Sequence, residues 1–110
     1  MKYIITENKL ERVIIHFLNK RYGDLTEYRT DKYPNKLFFF KNDKILMVNN
    51  HNINHKLWVD YEISNDLMKW FDLNYSDMSP VIEKWVKEKF NLNIHGVGFS
   101  YVSHLYDNLL

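Results

Sequence analysis

Residues Lys36 to Val48, KLFFFKNDKILMV, set two runs of aromatic and aliphatic residues on either side of Asn42-Asp43. Both runs suit a pleated strand, and Asn-Asp tolerates the positive φ that a two-residue hairpin turn needs. The spacing predicts a hairpin in which Phe40 faces Ile45, Phe39 faces Leu46, Phe38 faces Met47 and Leu37 faces Val48. Alternation then puts Phe38, Phe40, Ile45 and Met47 on one face and Leu37, Phe39, Leu46 and Val48 on the other. Neither face is polar. A half-solvated hairpin alternates apolar with polar residues, so helices, another sheet or a second copy of the chain must cover both sides of this one.

The chain has the material for that. Its 110 residues are 45% hydrophobic, with seven Phe, eight Tyr and three Trp. A chain of this length is expected to form one domain, spanning 1–110, that buries roughly two-thirds of its unfolded surface without a disulfide or metal. Fifteen basic and 14 acidic residues leave a net charge of +1. That excludes a global field for gathering nucleic acid or anionic membrane, and partners must be argued locally. With no Cys, disulfides, thiol nucleophiles and thiolate metal sites are excluded together. No stretch approaches the ~18 apolar residues of a membrane span, and nothing near Met1 resembles a secretion signal; the expectation is a cytoplasmic protein with no membrane partner. Ala and Gln are missing while Asn (13) and Lys (12) abound, a bias expected of AT-rich coding DNA.

The elements follow from periodicity. Leu10, Val13, Ile14, Phe17 and Leu18 fall on one helical face, with Thr6 as N-cap, Ile5 stapled to Leu10 and Gly23 as the stop, so a helix is expected over 7–22. A strand is expected over 25–30 and a turn over 31–35, where Pro34 holds Tyr33 extended. After the hairpin, the Asn-dense segment 49–55 reads as a loop and 56–61 as a further strand. Ser64 is the expected cap of a short helix carrying Leu67, Trp70 and Phe71. Residues 72–78 read as a break. Ser79-Pro80, with Pro at the first helical position, opens a helix carrying Ile82, Trp85, Val86 and Phe90 and closed by Asn91. Val97, Phe99 and Tyr101 alternate with small residues, which predicts a last strand within 92–104. The class is α+β: an antiparallel meander of four to five strands packed against an N-terminal amphipathic helix and one or two helices of the C-terminal half.

The opening MKYIITE with its amphipathic helix, the LWVDY strand followed ten residues on by Phe71-Asp72-Leu73, and the KWVKE helix resemble small uncharacterised proteins encoded by marine bacteriophage and environmental viral genomes. The resemblance implies a viral protein acting in the cytoplasm of a bacterial host. It carries no catalytic or binding residue with it.

Candidate chemistry is sparse. His51 and His55 are weak metal candidates, with His95 and His104 as further donors; i, i+4 spacing aligns two imidazoles only on a helix, and this segment reads as a loop. Ser100, Ser103, His95, His104 and Asp107 are near in sequence, yet no nucleophile elbow frames either serine. Asp60 and Glu62 share a strand face, as exposed acids without function also do. No phosphate-binding glycine loop occurs. For single-stranded nucleic acid, Lys36, Lys41 and Lys44 flank the phenylalanines of segment 36–48 as a basic-aromatic surface, but three Arg in the whole chain make a poor basic footprint. The favoured expectation is a non-enzymatic module for protein binding or self-association, a homodimer being one form, with no cofactor. Single-stranded nucleic-acid binding through segment 36–48 is the alternative and a small metal-dependent enzyme the third. The large apolar groups left over by the helix faces, Phe38, Phe40, Trp58, Tyr61, Trp70, Phe99 and Tyr101, are the interface candidates.

Overall fold

The computed structural model describes residues 7–50 and 55–106. The elements run α1 (Glu7–Tyr22), β1 (Thr26–Tyr28), β2 (Lys36–Lys41), β3 (Lys44–Asn50), β4 (Lys56–Asp60), α2 (Tyr61–Phe71), α3 (Tyr75–Phe90), β5 (Val97–Ser100) and α4 (Val102–Leu105). The class is α+β, as the periodicity implies. One sheet holds the five strands in the order β1-β2-β3-β4-β5. The first four form the expected meander, but β5 lies parallel to β4. Parallel neighbours need a long crossover, supplied here by α2, α3 and a segment whose Leu92 and Ile94 are buried.

The hairpin turns at Asn42 and Asp43, whose φ values of 53° and 63° are the paired left-handed angles of a tight turn. Phe40 faces Ile45 as expected. Beyond that pair the register departs from the sequence reading: Phe39 faces Met47, Phe38 faces Val48 and Leu37 faces Asn49, with Leu46 left unopposed in a bulge. One extra residue reverses the sense of the alternation. Leu46 and Met47, consecutive in the chain, therefore both join the core that holds Leu37 and Phe39, while Val48 changes sides to join Phe38 and Ile45.

The first face receives the three long helices. Ile14 and Leu18 of α1, Ile63 and Leu67 of α2, and Met78, Ile82, Trp85 and Val86 of α3 pack on Leu37, Phe39, Met47, Leu57 and Val59. Trp85 is fully buried and its indole N–H donates to Asn19 Oδ1 at 2.9 Å, tying α3 to α1. The second face is closed from within the chain by Val102 of α4 together with Tyr33 and Tyr106, whose rings meet Phe38 edge-on at 5.8 and 5.0 Å.

Helix boundaries move where a stronger cap was available. α2 begins at Tyr61 because the Asp60 carboxylate accepts from Glu62 N–H at 3.1 Å; Ser64 is buried inside the helix, donating to the Tyr61 carbonyl. α3 begins at Tyr75, capped by Asn74, which accepts from Asp77 N–H at 2.8 Å. Pro80 thus sits inside the helix rather than at its first position. The lost N–H and ring crowding there are costly, and burial of Met78 in the first turn offsets them. The break between the two helices shrinks to Asp72–Asn74, with Asp72 left-handed at φ 55°. Asn91 ends α3 in the same conformation, as expected. The tail is a four-residue strand followed by α4, not a strand through residue 104. The expected cap at Thr6 and staple at Ile5 lie outside the described residues.

Asn49 is fully buried between Leu37 and Leu57 on the helix-covered face, and neither its Oδ1 nor its Nδ2 has a hydrogen-bond partner. A buried amide without partners costs free energy. Asn49→Val is therefore expected to raise the free energy of unfolding by about 1–3 kcal/mol, measured as a higher urea midpoint at unchanged m-value; a lower midpoint would show that the amide is satisfied in solution.

Candidate interaction surface

At the carboxyl ends of β4 and β5 the chain turns into α2 and α4, and both turns are held by one side chain. Asp60 Oδ2 accepts from Glu62 N–H at the start of α2, and Oδ1 accepts from Ser103 N–H in α4 at 2.9 Å. Asp60 is 4% exposed. This double cap fixes Tyr61 on one helix and Tyr101, just before the other, on the same end of the sheet. Glu62 instead pairs with Lys44 at 2.7 Å, so the two carboxylates face different partners rather than acting as a couple.

Around this pivot four aromatic rings are in contact. Tyr61 meets Tyr101 at 4.6 Å and Tyr75 at 6.4 Å, and Tyr75 meets Phe99 at 4.9 Å. His104 lies edge-on to Tyr101 at 5.8 Å. The cluster is open to solvent: Tyr75 is 41% and Tyr101 63% exposed. Three of the residues singled out by sequence, Tyr61, Phe99 and Tyr101, are thus brought together. Tyr75 was not legible, because it falls in the stretch that Ser79-Pro80 made look like a break; the Asn74-x-x-Asp77 spacing before Met78 was the available signal for an earlier helix start.

The other interface candidates are placed elsewhere. Phe38 is fully buried and Phe40 half-buried, its ring edge-on to Tyr28. Trp70 stands alone on α2, nine residues and about 13 Å along the axis from Tyr61, half-exposed with the Lys69 ammonium 5.5 Å from its ring. Trp58 lies on the second face, its indole over Gly98 and the Lys56 ammonium 4.4 Å from the ring centre. A Cβ at Gly98 would come within 2.6 Å of that ring, so only glycine permits the approach. Beside Trp58 a groove of about 230 Å³ runs between β5 and α4, lined by Val48, Ser100, Val102, Leu105 and Tyr106.

The lysines beside the hairpin are engaged. Lys36 donates to Tyr106 Oη at 2.9 Å, Lys41 pairs with Asp24 at 3.1 Å and donates to the Arg21 carbonyl, and Lys44 holds Glu62. Lys41 and Lys44 line a polar cleft of about 350 Å³ with Lys20, Arg21 and Tyr22. Two of these lining residues are tied to α2, where Asp66 accepts from Arg21 Nε at 2.9 Å and from the Tyr22 hydroxyl. Burial, followed by the bond to Asp66, raises the Tyr22 phenol above its ordinary pKa of 10; the bond to Glu62 raises Lys44.

Of the metal candidates, His51 lies outside the described residues. His55 and His95 are neighbours, their ring centres 6.0 Å apart and His95 N–H donating to the His55 carbonyl. Among the described residues no three potential ligands gather into a metal site, and no helix is long and apolar enough to cross a membrane. No protein-family model matches the chain, and neither curated proteins nor solved structures give a significant match.

Asp60→Ala is expected to destabilise the protein by about 1–3 kcal/mol, removing the acceptor at two helix starts, and to speed amide hydrogen exchange at Glu62 and Ser103. Unchanged protection at Ser103 would disprove the double cap. The raised Tyr22 pKa makes stability full below pH 10 and falling above it, since the unfolded phenol ionises first. Tyr22→Phe is expected to flatten that alkaline limb in urea titrations run from pH 9 upward.

Proposed function

We propose that this protein is a non-enzymatic interaction module that docks a protein partner, itself or another chain, on the aromatic end of its sheet. The observation that carries the reading is the solvent-open cluster of Tyr61, Tyr75, Phe99 and Tyr101. Tyrosine supplies large contact area at low conformational cost and keeps a polar tip for water or for a partner's hydrogen bond, which is why it concentrates at protein interfaces. The Asp60 cap supports the reading in a second way. It holds Tyr61 and Tyr101 on rigid helix starts, so little ordering entropy is lost when a partner covers them.

The basic-aromatic alternative is less well supported. Its Phe38 and Phe39 are fully buried and its three lysines already have partners, which leaves of its three rings only the half-buried Phe40, itself edge-on to Tyr28, for stacking on bases.

The test is site-specific photo-crosslinking in cells expressing the full chain. A photoreactive phenylalanine at position 101 is expected to capture a protein, either a second copy or another chain, and Tyr75→Ser is expected to reduce the yield severalfold. The same probe at position 84, on the outer side of α3, serves as background. Yields at 101 no higher than at 84 would end the proposal.

A further inference from the structure

The sheet has two edges, and they differ. β1 is three residues long, carries Glu27 and is flanked by Asp24 and Arg29; short length and charge are the usual means of discouraging strand addition. β5, Val97-Gly98-Phe99-Ser100, has no charge and no proline. The Leu57 N–H donates to the Gly96 carbonyl at 3.0 Å, and strand alternation then turns Gly96, Gly98 and Ser100 toward β4. The N–H and C=O of Val97 and Phe99 point away from it, and among the described residues nothing pairs with them.

We propose that two copies of the chain associate by antiparallel pairing of their β5 edges about a two-fold axis at Gly98, joining the sheets. The proposal rests on the reading of this end of the molecule as an interaction surface and names its partner. The register is what singles out a second copy. With Gly98 opposite the partner's Gly98, Val97 lies opposite the partner's Phe99 and Phe99 opposite the partner's Val97. All eight free backbone groups of the two edges then close in four hydrogen bonds. Faces match as well. Val97 and Phe99 both pack toward the helix-covered core, so apolar meets apolar, and no like charges are brought opposite one another. The two glycines take the non-hydrogen-bonded position, where chains approach to about 4.5 Å between Cα atoms. With Trp58 lying over Gly98 in each copy, a side chain there would have no room.

Sedimentation equilibrium of the full chain, together with isotope-filtered NOE spectra of a mixture of ¹³C-labelled and unlabelled protein, tests this. A dimer is expected, with contacts between Val97 methyls of one copy and the Phe99 ring of the other. Val97→Pro removes an N–H that β4 does not use, at an edge position where proline is tolerated. It is expected to weaken the dimer at least tenfold while leaving the far-ultraviolet circular dichroism unchanged. Should Val97→Pro fail to fold, the contacts between wild-type copies decide alone. A chain that stays monomeric at NMR concentrations, or a dimer whose contacts lie elsewhere, overturns the β5 pairing. Capture at position 101 by a different protein would then still uphold the interaction surface, and background yields there would end both.

Discussion

Every element of this fold answers to a hairpin that has no polar face to give to water. Phe38 and Phe39 are adjacent in β2, point to opposite sides of the sheet, and are both fully buried. Burial of each such ring contributes about 1.5–3 kcal/mol, which the chain obtains only by building a layer on each side. Three helices make the first layer. The second is improvised from a four-residue helix, a turn tyrosine and Tyr106. The Leu46 bulge divides the apolar groups unequally between them, sending Leu46 and Met47 together to the side with more helix to meet them. Without it, Met47 would have gone to the thin layer and Val48 to the thick one.

The thin second layer depends on Asp60. α4 is only one turn long, too short to be stable by itself, and its Val102 is nonetheless fully buried against Phe38, Ile45 and Val48. What holds the turn in place is Ser103 N–H on the same carboxylate that starts α2. One side chain thereby links the cover of the second face to the crossover that brings β5 alongside β4. The aromatic cluster is a consequence of that arrangement, since Tyr61 and Tyr101 are the residues next to the two capped starts.

Legibility from sequence followed the range of the interactions involved. The 7–22 helix, the turn at Asn42-Asp43 and the Phe40–Ile45 pair depend on local spacing, and the residues announce them. The bulge does not announce itself: nothing in Ile45-Leu46-Met47-Val48 distinguishes a strand that slips by one residue, because every member is apolar and either register buries the same groups. The parallel placement of β5 is also non-local, settled by how α2, α3 and the buried Leu92 and Ile94 pack. Caps failed in an instructive way. Ser64 and Ser79-Pro80 are acceptable starts on local chemistry, but Asp60 and Asn74 extend each helix by a turn, and in α3 the gain in core burial at Met78 outweighs a proline in the interior. Part of the candidate surface was legible as surplus aromatics. Their grouping was not, because it requires knowing that positions 61, 75, 99 and 101 converge.

The two sheet edges set that convergence in context. An exposed aromatic cluster on a closed surface would be a modest patch, since tyrosines tolerate water. Here Phe99 belongs both to the cluster, through Tyr75, and, through its own N–H and C=O, to the edge that is unpaired among the described residues. Any strand that added to β5 would lay its own side chains beside Tyr75 on one face and beside Trp58 and Gly98 on the other, so backbone pairing and aromatic contact would form together. In such an addition the backbone bonds would supply affinity that is indifferent to sequence, and the flanking rings would supply the selectivity that edges alone lack. The same coupling would guard an uncharged edge against indiscriminate pairing: the edge is only four residues long, and too few bonds would form to hold a strand that did not also satisfy the rings.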